Sequence, residues 1–161
     1  MFANQTTDES SATLRAAIEA EHQSGSHIWD SAFISTLAEA LLAAGDMTGA
    51  ETTLRDAFAF VEQSRERFWL AELHRLSGQT ALKRQEPDHA RAEACFLEAV
   101  DIARSQEARL LELRAATDLA RLWRDTGSSN DPRAMLEPIL GAIEGGENTR
   151  DVRNARALLE G

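Results

Sequence analysis

Apolar positions along the chain recur with helical spacing. Phe33, Leu37 and Leu41 fall four residues apart with Leu42 beside them, so they share one side of an α-helix. Gly45-Asp46 closes that run. Thr48 and Glu51 then read as a capping box, in which each side chain satisfies a backbone N–H left unpaired at a helix start. A second run follows with Leu54, Ala57, Phe58 and Val61. Asp131-Pro132 combines a capping acceptor with proline at the first turn, where a missing N–H costs nothing, and Glu86-Pro87-Asp88 does likewise. The pattern predicts eight helices, over 11–24, 29–44, 48–63, 66–84, 88–104, 109–126, 132–144 and 149–160.

The pattern also repeats. Ala17-Ile18 and Ile28-Trp29 recur as Ala57-Phe58 and Phe68-Trp69, then as Ala99-Val100 and Leu110-Leu111, at offsets of 40 and 42 residues. Small residues keep the same register: Ala38, Gly78 and Ala120 in one helix, and Ala50, Ala92 and Ala134 in the next. Ala57, Ala99 and Gly141 follow, with Leu54 and Phe96 as large partners between them. Small side chains let neighbouring helices approach, while Trp69 and Phe96 are expected to fill the gaps between pairs. Three helix pairs then sit between two half-units, and stacking buries what a single pair leaves exposed. The last helix, opened by Thr149, is expected to cap the third pair through Val152, Ala155, Leu158 and Leu159.

Composition agrees. Ala and Leu dominate the 43% of hydrophobic residues and Tyr is absent, a balance that favours helix over strand. Three prolines leave long windows unbroken. At 161 residues one domain over 11–161 is expected, preceded by a polar, disordered segment 1–10. No apolar run approaches the length of a membrane span, and MFANQTTDESS lacks the basic and apolar regions of a signal peptide. A cytoplasmic protein follows as the expectation. The net charge of −10 is uneven: residues 1–64 hold ten acids against Arg15 and Arg55, and residues 65–161 hold seventeen acids against fifteen bases. The acidic first part argues against nonspecific nucleic-acid binding, which needs phosphate-neutralising Lys and Arg, and Lys83 is the only lysine.

Three stretches, AELHRLSGQTAL (71–82), AEACFLEAVDIARSQ (92–106) and LELRAATDLARLWRDTG (111–127), carry a family likeness. With the small-residue registers and the closing segment 149–160, they resemble the tetratricopeptide superfamily. In particular they are similar to the C-terminal repeat region of bacterial ATPase, nucleotide-cyclase and related transcriptional regulators. The resemblance implies an all-α fold, a right-handed superhelical stack of antiparallel helix pairs, here of period 40–42. It also implies a groove lined by the first helix of each pair. By register that groove would carry Ile34, His74 and Ala116, then Glu39, Gln79 and Arg121, then Leu42, Leu82 and Arg124. Glu39, His74, Gln79, Arg121 and Arg124 are therefore the candidate binding residues, with Trp123 near the groove edge. Arg121 and Arg124 could together grip a carboxylate.

Little points to catalysis. His22, His27, His74 and His89 form no metal-site spacing with carboxylates, and Cys95 sits beside the packing residue Phe96. No GxxxxGK[ST] phosphate loop is present. No catalytic, cofactor or metal site is expected. The leading expectation is a scaffold that docks a protein or peptide partner in its groove, in bacterial signalling or regulation. The alternative is a sensor module that binds a small effector and relays it to a catalytic or DNA-binding partner. Nucleic acid and membrane are not expected partners, and self-association is left open.

Overall fold

Aspartates set where three of the helices begin. A computed structural model describes residues 30–160 together with Thr13 and Ala16, both helical; the rest of the predicted helix 11–24, the 1–10 segment, His22, His27 and Trp29 lie outside the described residues. Over residues 30–160 there are seven helices and no strand: α1 (Asp30–Ala44), α2 (Met47–Ser64), α3 (Leu70–Leu82), α4 (His89–Ser105), α5 (Arg109–Thr126), α6 (Pro132–Gly141) and α7 (Arg150–Glu160). The chain is all-α over that span.

The helix starts differ in part from expectation. Asp46 caps α2, its Oδ1 accepting from the Gly49 N–H at 2.9 Å, so the Thr48–Glu51 box does not form the start. Asp88, not Glu86, caps α4, accepting from the Arg91 N–H at 3.0 Å, and Pro87 lies before the helix. Asp131 caps α6 through the Arg133 N–H at 2.9 Å, with Pro132 at the first helical position. Each aspartate satisfies a donor that the helix itself leaves open. Arg65 adopts the left-handed conformation (φ 63°) and ends α2; α3 consequently begins at Leu70, four residues later than the pattern suggests. In α6, Pro138 has no N–H to give the preceding turn, and the helix ends at Gly141 instead of 144.

Each helix packs on the next, and α1 also touches α3, α3 touches α5 and α5 touches α7; α2 makes no such contact with α4, nor α4 with α6. The core follows this order. Leu37, Leu41, Leu54, Val61 and Leu73 pack where α1, α2 and α3 meet. Ala81, Ala92, Phe96, Leu119 and Trp123 join α3, α4 and α5. Val100, Leu113, Leu136, Val152 and Ala155 bind α4 through α7. Leu158 and Leu159 are partly buried against the last group.

The small-residue register has a direct cause at Gly78. A Cβ there would lie 2.5 Å from the Phe96 ring, and Phe96 is wholly buried. Ala38, Ala50, Ala57, Ala92, Ala99 and Ala120 are likewise wholly buried. Ala134 and Gly141, at matching positions in α6, are exposed. Trp69 does not share the role of Phe96. It is only partly buried, at the entrance to α3, edge-on to the exposed Phe68 with centroids 5.8 Å apart.

Candidate functional site

Four helices, α1, α3, α5 and α7, turn a common face outward, and that face is charged. On α3, Glu72, Arg75 and Gln79 fall at intervals of three and four residues and so line one side; Arg114, Asp118 and Arg121 do the same on α5. Arg75 is the centre. Its Nε donates to Glu72 Oε2 at 2.9 Å and its Nη2 to Glu72 Oε1 at 2.7 Å. Its Nη1 donates to Asp118 Oδ2 at 2.7 Å. The Arg75 and Glu72 side chains are 5% and 3% exposed. Burial alone would lower the Arg75 pKa, but the hydrogen bonds and charges of Glu72 and Asp118 outweigh it and raise the pKa further. The guanidinium is permanently charged.

The network runs on from Arg75. Arg114 reaches Glu72 at 3.0 Å, Glu39 of α1 at 3.2 Å and Asp151 of α7 at 3.9 Å. Gln79 Nε2 donates to Asp118 Oδ2 at 2.7 Å, and Arg121 Nη1 donates to Asp118 Oδ1 at 2.8 Å. Above the network lies a polar hollow of about 210 Å³, lined by these residues other than Glu72 and by Thr117, Arg150 and Asn154. Most of the charge below it is already paired. Arg121 is 43% exposed and spends one nitrogen on Asp118, whereas the Arg150 guanidinium has no partner among the described residues. Those two cations are what the hollow offers a ligand.

Glu39, Gln79 and Arg121 are thus brought together, while the other candidates lie elsewhere. Trp123 is 8% exposed in the core, its Nε1 donating to Glu93 Oε1 at 2.6 Å. Arg124 is exposed beside Asp125 at 3.3 Å and does not line the hollow. His74 points to another side of α3, edge-on to Phe58 with ring centroids 5.0 Å apart. Ala116 and Leu42 are buried, and Ile34 and Leu82 are partly buried against the core. Only the Glu39, Gln79 and Arg121 row faces out; its neighbours are Arg75 and Thr117, one turn earlier on their helices. Missed by the sequence reading were Glu72, Arg75, Arg114, Asp118, Asp151 and Arg150. A signal was present: Glu72 and Arg114 are opposite charges separated by one 42-residue period.

No protein-family model, curated protein or solved structure matches the chain. Among the described residues, no three His, Cys, Asp or Glu side chains gather as a metal site would require, and no helix is long and apolar enough to cross a membrane. Cys95 is half-buried, and burial pushes its thiol pKa up despite the opposing pull of Arg91, which disfavours the nucleophilic thiolate.

Proposed function

We propose that this chain is a tetratricopeptide-like interaction module whose outward charged face holds an acidic segment of a partner protein. In this reading α1, α3, α5 and α7 are the inner helices of a right-handed superhelical stack of antiparallel pairs. The contacts of α1 with α3, α3 with α5 and α5 with α7, and their lack between α2, α4 and α6, support that arrangement. So does the residue repeat, which also carries the likeness to bacterial regulators. The observation that carries the functional reading is the pair Arg121 and Arg150, set over a bed of charges that have already neutralised one another.

A guanidinium offers a planar fork of donors to a carboxylate. The fixed network beneath holds Arg121 in place through Asp118, which lowers the cost of ordering it on binding. A hollow of about 210 Å³ admits one side chain; sites for whole small ligands run to roughly 300–1,000 Å³. The partner's segment therefore lies across the face and sends an Asp or Glu into it. The chain's net charge of −10 opposes nonspecific attachment of acidic segments, which leaves their binding to local groups of cations such as this pair. The carboxylates and guanidiniums are tied to each other, an arrangement for holding and not for moving protons.

Fluorescence polarisation with a labelled Asp/Glu-rich peptide and its Asn/Gln counterpart tests the reading. The acidic peptide should bind and be released as salt rises, since exposed charges are screened over about 8–10 Å near physiological ionic strength. Equal binding of the uncharged counterpart would refute it.

A further inference from the structure

On another side of α3 the molecule has a trough of opposite character. The helices α2 and α4 both pack on α3 while their backbones stay apart from each other, and between them lies a cavity of about 560 Å³. Its bed is apolar: Val61 and Leu70 are buried, with Phe58 and Ile102 partly so. The His74 ring lies in this bed against Phe58. At the rim stand Glu62 from α2 and Glu98 from α4, both exposed, and neither makes a hydrogen bond or ion pair with another described residue. Arg67, exposed, also lines the cavity.

We propose that this trough is a separate binding site for a small amphiphilic organic cation, an ammonium or guanidinium carried on an apolar body. Four features select that class. The volume falls in the range of small-ligand sites, roughly 300–1,000 Å³. The apolar bed takes the body, and the face of an aromatic ring attracts a nearby cation. Two unpaired carboxylates from opposite walls outnumber the single guanidinium. The acidic field of residues 1–64, with ten acids and two bases, draws cations toward a molecule of net charge −10.

His74 makes the site sensitive to pH. Burial lowers its pKa, and Glu98 opposes that only in part, so the ring is neutral near pH 7 and does not repel the cation. The charged groups facing it in the cavity are Glu98 from α4, Glu62 from α2 and Arg67 from the α2–α3 connection. As pH falls through the lowered His74 pKa, a positive charge enters the bed and the ligand is expelled.

The experiment is an NMR titration of the full chain with three matched probes: phenethylammonium, the neutral 2-phenylethanol and the anion 3-phenylpropionate. Phenethylammonium should give saturable shifts centred on His74 and Phe58, and the anion none. The isosteric pair Glu62→Gln and Glu98→Gln, with helicity checked by circular dichroism, should weaken binding about tenfold or more, the scale of a lost charge-assisted contact. The assignment is overturned if the alcohol binds as tightly as the ammonium, if the double variant keeps wild-type affinity, or if no saturable shift occurs. It is also overturned if a lysine-bearing amphipathic peptide leaves the same footprint at higher affinity, which would make the trough a protein-docking surface.

Discussion

Helix α3 meets its surroundings in two ways. Along one side, Glu72, Arg75 and Gln79 join α5 through contacts of 2.7–3.0 Å, and Arg75 reaches Glu39 of α1 at 3.7 Å. Elsewhere on the same helix, Gly78 meets the Phe96 ring of α4 with no space left for a methyl group. The first joint is specified by charge and geometry, the second by volume. A buried ion network gains little over well-packed apolar residues, because removing charges from water costs about what their attraction returns. Such a network positions the groups at the surface above it. The volume joint holds helices together and offers nothing to a ligand. Of the two joints, the charged one is where the proposed peptide binding falls.

Unbalancing the charged network should have the largest effect. Glu72→Leu leaves Arg75 buried without its two-toothed partner and removes a contact of Arg114. A buried pair that loses one member costs about 3–5 kcal/mol. Urea denaturation should show a loss of that size. A loss below about 0.5 kcal/mol, the usual effect of a surface change, would mean that the network is not a buried one.

Gly78→Ala tests the volume joint, and two effects compete. Alanine is favoured over glycine within a helix by about 1 kcal/mol. The new Cβ would sit 2.5 Å from a wholly buried ring, and overpacking of that kind costs about 1–3 kcal/mol. The clash wins because Phe96 has no free space to enter, so the variant should melt at a lower temperature. A higher melting temperature would show that the joint has slack.

The two sides of α3 were unequally legible in the sequence. Volume packing leaves a periodic trace, and the registers of Ala38, Gly78 and Ala120 and of Ala50 and Ala92 anticipate the buried joints. The charged side leaves a weaker one. Arg75 reads as a solvated helix residue until Asp118, 43 positions away, is seen to accept from it. Register places Trp123 near the groove edge, yet its side chain turns into the core, where Glu93 accepts its indole N–H. Helix starts were legible in type but not in place, since Asp46 and Thr48 are both competent caps and the Gly49 N–H goes to the aspartate.

His74 separates the trough from both joints. Burial holds its folded pKa below the ordinary value of about 6.5. The unfolded chain then binds the proton more readily, so stability contributed by the neutral ring is present above pH 6.5 and declines as pH falls toward the folded pKa. His74→Leu should remove that part of the decline between pH 7 and 5, measured by thermal melts. An identical pH profile in the variant would show that the ring does not titrate with folding.

The smallest effect on stability and the largest on the proposed activity belong to Arg121 and Arg150. Both line the polar hollow, but neither is buried. Arg121 gives one nitrogen to Asp118, and Arg150 has no partner among the described residues. Arg121→Gln and Arg150→Gln together should change stability by within about 1 kcal/mol, the range of an exposed ion pair, because the amide can still donate to Asp118. The face would then no longer offer these two cations to an acidic segment, and binding should be lost. Binding of phenethylammonium in the trough should be unchanged, because Glu62, Glu98 and Phe58 lie on other helices. Loss of both activities together would mean that the substitutions disturb the whole repeat. Retention of acidic-peptide binding would mean that the two cations are ordinary surface residues, and that the buried network beneath them serves the packing of α1, α3, α5 and α7 alone.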